Sequence, residues 1–234
     1  NIIISVTDKS PFSPIDGLGA ENPISMKFSN FKKIIDKIPH VQSVTLTGGE
    51  PFMNEDLVKM VKYCSRNKTY PRINTSGYLN HKILEDIKSD VELLNISLKY
   101  TDDVIESKWN RASHSFDNCL NFIKKASKLE MPLAINWVAD KINYVNFYKM
   151  YEFASVYKAQ LIVVRYIPFN PSYNGLSLSE EEWTDLTTHA KKFMNVHIAF
   201  PSVHSYSLCP GGINRLFINT DGTVTPCLEE NTLI

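Results

Sequence analysis

The chain has 234 residues, 43% hydrophobic and 21% charged, with 25 basic side chains balanced by 25 acidic ones. Such a chain suits one sizeable α/β domain, or one domain with a small appendage, and the absence of a lysine or arginine stripe excludes nucleic acid as the main partner. No apolar run reaches membrane-spanning length and the front lacks the basic, apolar, small-residue pattern of a secretion signal, so no membrane role and a cytoplasmic location are expected.

The sequence opens at Asn1 on what already reads as a strand, and we expect the natural protein to extend beyond both ends. Ile2, Ile3, Ile4 and Val6 form that first strand, followed by a Pro/Ser/Gly-rich loop from Thr7 to Gly19. A helix from Ser29 to Ile38 carries Phe31, Ile34, Ile35 and Ile38 on one face. Val44 to Thr47 make a second strand that ends abruptly at Gly48-Gly49-Glu50-Pro51. Asn54 reads as the N-cap of the next helix, about residues 55–67, with Glu55 and Asp56 in its first turn. Two adjacent glycines would let a ligand approach the main chain, Glu50 offers a carboxylate and Pro51 stiffens the exit, a geometry suited to an amino group.

Arg72 to Thr75 is a third strand ending in Ser76-Gly77, residues 80–88 a short third helix, and Leu93 to Leu98 a fourth strand. A fourth helix runs from Ser115 to Leu129, a fifth strand from Leu133 to Val138, and a fifth helix, aromatic on its inner face, from Val145 to Tyr157. Gln160 to Tyr166 is a sixth strand, and Ser179-x-x-Glu182 a capping box opening a sixth helix through Met194. Strands alternating with helices imply a parallel sheet, open or curled into a partial barrel, with ligands at the carboxyl ends of the strands. Beyond Phe200, Asp221-Gly222 between alternating runs signals a hairpin.

Cys64 and Cys119 lie in helical patterns among apolar neighbours and read as inert buried thiols. Cys209 and Cys227 flank the hairpin as C-x12-G-x4-C, which suits either a shared metal or cluster or two free thiols. The six histidines show no metal-ligand spacing. Tyr144, Phe147, Tyr148, Tyr151 and Phe153 read as a core face, and Tyr166, Phe169 and Tyr173 lie near the expected cavity mouth.

Taken together, Thr47-Gly48-Gly49-Glu50-Pro51, Asn74-Thr75-Ser76-Gly77, Asn95-Ile96-Ser97-Leu98, the Arg111–Leu120 segment and the Cys209–Gly222–Cys227 spacing resemble the radical S-adenosylmethionine superfamily, in particular members with a SPASM or twitch extension. The resemblance implies a partial (β/α)6 barrel over residues 1–200 and the start of a small β-hairpin extension over 201–234. It implies that Gly48, Gly49 and Glu50, with Pro51 and Ser76, form the shelf for S-adenosylmethionine, and that Ser97 and Arg111 contact its carboxylate or ribose. Cys209 and Cys227 would be ligands of an incomplete auxiliary iron–sulfur site, complete only in a longer chain.

The first loop departs from that pattern. Where the superfamily places C-x-x-x-C-x-x-C for a [4Fe-4S] cluster, this chain has Ser10, Pro14 and Gly17, none of them a thiol. Asp16 stands where an aromatic often packs on adenine, and Lys99-Tyr100 follows Ser97-Leu98 where many relatives have Asp-Gly. The resulting expectation is a non-catalytic protein that binds a peptide, a small molecule or a partner enzyme. The alternatives are a radical enzyme whose cluster cysteines are replaced in this chain, or a cluster-independent transferase using Glu50, His81, His114 or Asp16 as base.

Overall fold

The computed structural model describes residues 2–12, 22–38, 41–78, 82–110, 112–168, 171–199 and 215–226. Strands β1 (Ile2–Thr7), β2 (Ser43–Gly48), β3 (Tyr70–Thr75), β4 (Leu93–Ser97), β5 (Leu133–Ala139) and β6 (Gln160–Arg165) alternate with helices. These are α1 (Phe28–Lys37), α2 (Leu57–Arg66), α3 (Ile83–Ile87), α4 (Asp103–Asn110), α5 (Ser115–Lys128), α6 (Phe147–Val156) and α7 (Glu180–Ala190). A seventh strand, β7 (Val196–Ala199), and a hairpin of β8 (Leu216–Ile218) and β9 (Val224–Thr225) complete the described elements.

The sheet order is β7-β6-β5-β4-β3-β2-β1-β8-β9, parallel throughout except for the β8–β9 pair. The result is the expected partial barrel, left open because β7 and β9 stand at opposite edges. The hairpin is part of this sheet: Ile2, Ile3 and Ile4 pair in parallel with Leu216, Phe217 and Ile218. Thr220 at the hairpin's turn bonds Ser5 Oγ at 2.7 Å and Asp8 Oδ1, tying the turn to the carboxyl end of β1.

Period-two alternation explains the layering. Ile4, Leu46, Ile73, Leu94, Ile96, Ile135 and Leu161 face the helices and are buried against Phe31, Met60, Leu84 and Phe122. Their neighbours Thr45, Thr47, Asn74, Asn95, Ser97 and Asn136 face the other way, so the concave side is polar. Burying the apolar face against amphipathic helices is the main stabilising term, at roughly 25 cal/mol per Å² of apolar surface removed from water.

Several expectations are corrected in detail. Helix α2 begins at Leu57 with Asp56 as N-cap, because Pro51–Met53 first makes a 3-10 turn. Asn54 is instead a buried latch: its Nδ2 donates to Val6 O at 2.7 Å and Met26 O at 3.0 Å, and its Oδ1 accepts from Asp56 N–H. Described α3 covers only Ile83–Ile87, and residues 79–81 lie outside the described set. Helix α7 stops at Ala190 rather than Met194, where the chain turns into β7, and the Ser179–Glu182 capping box is present in both directions. Helix α4 and strand β7 were not expected. The aromatic face of α6 is core at Phe147, which packs on Tyr151 and Phe193, whereas Tyr148 is exposed.

Candidate cofactor cavity

The carboxyl ends of β2 to β5 surround an open cavity of about 300 Å³, a size at the lower end for small-ligand pockets. Thr47, Gly48 and Gly49 form one wall, Asn74, Thr75 and Ser76 the next, Ser97 to Lys99 the third, and Asn136 and Val138 the fourth. Phe12 closes one side, edge-on to Tyr78 at 5.1 Å, and Glu106 and Trp109 of α4 close another.

The two glycines serve the chain before they serve a ligand. Gly49 N–H donates to Thr7 O and Glu50 N–H to Lys9 O, both at 2.7 Å, so the start of the first loop lies directly on the turn. A Cβ on Gly48 would stand 2.1 Å from Thr7 O, and one on Gly49 2.2 Å from Lys9 O. Gly48 also has φ +136, a backbone conformation open mainly to glycine. The space that the missing side chains leave is therefore filled by this backbone.

Glu50 is fully buried and does not line the cavity. Its carboxylate accepts from Thr75 Oγ1 at 2.7 Å, from Ser76 N–H at 2.9 Å, from the Ser76 hydroxyl and from Phe52 N–H at 3.3 Å. Burial pushes its carboxyl above the ordinary value and outweighs the opposing pull of those donors. The group that sequence reasoning offered to an amino ligand is a clamp between the ends of β2 and β3. Pro51 is buried in the turn that follows.

At the β4 end, sequence reasoning named Ser97 and placed Tyr166 near the mouth but missed the grouping of Lys99 with Trp109 and Asp140. Lys99 Nζ sits 3.3 Å from the centre of the Trp109 ring and 4.3 Å from that of Tyr166, with Asp140 Oδ2 at 4.0 Å. Asp140 is fully buried, accepting from the Tyr100 hydroxyl at 2.8 Å and from the Ile142 and Asn143 N–H groups at 2.9 Å each. Burial, then the adjacent Asp140, pushes the Tyr100 phenol far up. Asn143 braces this corner as Asn54 braces the other, donating to Val138 O at 2.9 Å and Lys99 O at 3.2 Å. Only the pattern Tyr100, Trp109, Tyr166 around a lysine could have signalled it, and those positions are far apart in sequence.

Of the other expected site residues, Ser76 and Ser97 line the cavity. Arg111, Pro14, Asp16, Gly17, His81, Phe169, Cys209 and Cys227 lie outside the described residues. His114 is absent from the cavity wall. It lies at the start of α5 with Nδ1 3.9 Å from Asp103 and 3.8 Å from Asp117. Cys64 and Cys119 are buried, with the Cys64 thiol pushed up to about 12 by burial and the Cys119 thiol higher still.

The first-loop positions do not fit a [4Fe-4S] cluster. Ser10 offers only a hard hydroxyl, which already accepts from Phe12 N–H at 3.1 Å, and proline and glycine at 14 and 17 offer no side-chain donor. The cavity does fit a small polar ligand, with hydroxyls and amides converging on it.

A half-open parallel barrel with a polar cavity at its strand ends defines a class of small-ligand α/β proteins. The chain belongs to the radical SAM superfamily, whose model matches residues 17–154. It is 26% identical over 258 residues to the GTP 3',8-cyclase of Campylobacter jejuni subsp. doylei, covering 96% of this chain and 79% of that protein. It is 22% identical over 229 residues to the PqqA peptide cyclase of Granulibacter bethesdensis, covering 90% and 61%. The crystal structure of Streptococcus suis SuiB bound to S-adenosylmethionine aligns with a TM-score of 0.81 at 17% identity, over 97% of this chain. This chain spans 60% of the length of SuiB. SuiB bound to the precursor peptide SuiA aligns at 0.77, with 15% identity, 97% of this chain and 59% of that one. Among the described residues no helix is long and apolar enough to cross a membrane.

Proposed function

We propose that this chain is a radical-SAM-like binding protein that has lost the catalytic cluster and works in peptide modification, holding a ligand or a partner at the barrel mouth. The observation that carries the reading is the donor set of the first loop, where Ser10, Pro14 and Gly17 replace three thiolates. Without that cluster there is no electron source to cleave the carbon–sulfur bond of S-adenosylmethionine, and binding is what the cavity can still do.

S-adenosylmethionine is the proposed cavity ligand, with the Gly48-Gly49 main chain, Ser76, Ser97 and Arg111 as its contacts. Glu50 acts through its clamp on Ser76. The hairpin is read as the start of a SPASM- or twitch-type extension, with Cys209 and Cys227 as ligands of an auxiliary cluster completed by further chain. A peptide is favoured over a nucleoside triphosphate because the described cavity wall is close to neutral, with Lys99 offset by Glu106, and Arg111 is assigned to S-adenosylmethionine. A triphosphate calls for several positive groups.

The deciding experiment is anaerobic iron–sulfur reconstitution of the protein, with iron and sulfide counted and S-adenosylmethionine binding followed by calorimetry. We expect cofactor binding with no iron bound at the first loop. A four-iron cluster whose spectrum responds to S-adenosylmethionine would overturn the non-catalytic reading. Turnover of S-adenosylmethionine by methyl or aminocarboxypropyl transfer without iron would replace it with polar chemistry.

A further inference from the structure

Asn74 on β3 and Asn95 on β4 stand in register on the concave face, and Asn95 Nδ2 donates to Asn74 Oδ1 at 3.1 Å. Asn95 Oδ1 is buried and meets no donor among the described residues. Turning both amides over would preserve one bond between them but would bury an Asn95 N–H without an acceptor in place of a carbonyl. Buried N–H groups left unpaired are rarer than under-satisfied carbonyls, so the orientation found is the favoured one. It has a consequence for Asn74, which lines the cavity. With one of its oxygen's two lone pairs engaged and that oxygen fixed toward β4, its N–H pair is the larger share of its hydrogen-bonding capacity left for a ligand.

We infer that Asn95 is a positioning residue that holds the Asn74 amide with its N–H toward the cavity, so that this wall selects a group that accepts hydrogen bonds, a carboxylate or carbonyl oxygen, over an amino group. The surroundings support the same polarity. Ser97, two residues along β4, adds a hydroxyl, and Lys99 adds an ammonium held by the faces of Trp109 and Tyr166. The one carboxylate on the wall, that of Glu106, accepts from Tyr100 N–H at 2.8 Å. The inference rests on the proposal that this cavity binds a ligand, and it adds which end of that ligand meets β3 and β4.

The test titrates acetate, an acceptor, and methylammonium, a donor, into the protein while following the Asn side-chain NH2 resonances by NMR. In the wild type acetate should shift the Asn74 signals and bind about tenfold more tightly than methylammonium, the worth of one good hydrogen bond. Asn95→Leu, neutral and similar in size, should cut that preference severalfold, leaving the part that the Lys99 ammonium supplies. In an Asn74→Leu background the same Asn95→Leu change should have no effect on the ratio, an outcome that a general structural role for Asn95 would not produce. If Asn95→Leu does not fold, the wild type alone decides, because the inference requires acetate to move the Asn74 signals. Equal binding of the probes, binding of neither, or an acetate preference left unchanged by Asn95→Leu overturns it. S-adenosylmethionine titrated in parallel separates the two readings: loss of cofactor binding with the acetate preference intact sinks only the cofactor.

Discussion

The Thr75 hydroxyl donates to the Glu50 carboxylate at 2.7 Å, joining the end of β3 to the turn after β2 at a point closed to solvent. Glu50→Ala would strand the Ser76 N–H and the Thr75 and Ser76 hydroxyls and leave a hole, so we expect a loss of about 3 kcal/mol in urea unfolding. Glu50→Gln, which keeps shape and one acceptor, should cost less but still destabilise, because its NH2 must face either the Phe52 or the Ser76 N–H. Burial raises the Glu50 pKa, so the folded state holds the proton more tightly than the unfolded chain does. Its contribution is therefore fully present below the ordinary value of 4.5 and is lost as pH rises through the folded pKa. Melting temperature against pH should fall more steeply over that range in the wild type than in Glu50→Gln. Parallel curves would show that folding leaves the Glu50 pKa at its unfolded value.

Gly48→Ala and Gly49→Ala should each destabilise the protein by about 3 kcal/mol or more. Each new methyl meets main-chain oxygen, which cannot rotate away, and Gly48 adds an unfavourable φ. The loss should appear as a lower midpoint in chemical unfolding. A mild effect on stability with a large effect on ligand binding would instead mean that the first loop gives way and the glycines serve the ligand directly.

Much of this architecture is legible in the chain because two periodicities run through it. Thr45-Leu46-Thr47 and Asn95-Ile96-Ser97 show an apolar face and a polar one, and Phe31, Ile34, Ile35 and Ile38 mark a helix that must cover the first of these. Two elements escaped for lack of such a signal. Asp103–Asn110 is short and rich in charge, and Val196–Ala199 is a four-residue edge strand with only Ile198 and Val196 to mark a face. At the site, the residue types were readable but their directions were not. Glu50 could equally have faced a ligand, and Asn54 reads as a cap. What decides both is where Val6, Met26 and Ser76 arrive in three dimensions. The cage of Lys99 likewise depends on Trp109, on a helix that the sequence did not announce.

Helix α7 offers an electrostatic test at the surface. Lys141 first, then the Ser179 N–H, hold the Glu182 carboxyl down at about 2, against an ordinary 4.5. A depressed acid stabilises the fold above its unfolded pKa and loses that contribution as pH falls through the folded one, here from about pH 4.5 to about pH 2. Ser179→Ala removes the hydroxyl that accepts from Glu182 N–H at 3.1 Å and should cost about 1 kcal/mol. Lys141→Met should shift the acid limb of the melting curve upward in pH. An unchanged acid limb would mean that solvent screens the pair.

Cys64 and Cys119 should resist alkylation in the folded protein. Both are buried among apolar neighbours, and a thiol pushed up to about 12 at Cys64 supplies almost no thiolate at neutral pH. Iodoacetamide labelling mapped by mass spectrometry should find neither modified until denaturant is added. Native labelling of Cys119, whose sulfur would lie 3.4 Å from a Cβ on Gly77, would reveal local opening beneath the Ser76-Gly77 turn.

The strongest test of the lost-cluster reading is to restore it. Ser10→Cys, Pro14→Cys and Gly17→Cys together return three thiolates to a loop whose start is already anchored by Thr7 O and Lys9 O on the Gly49 and Glu50 N–H groups. Iron prefers soft sulfur donors, and the fourth iron of a [4Fe-4S] cluster needs no protein thiolate when a cofactor occupies it. Under anaerobic reconstitution the triple variant should therefore gain about four irons and four sulfides over the wild type, with the absorbance of a [4Fe-4S] centre. Any one of the three changes alone should gain none. If the triple variant also takes up no iron, more than the donor set has been lost, and the loop must have diverged in backbone as well as in side chains. If the wild type already binds as much iron as the variant, the cluster lies elsewhere, and Cys209 and Cys227 become the first ligands to substitute.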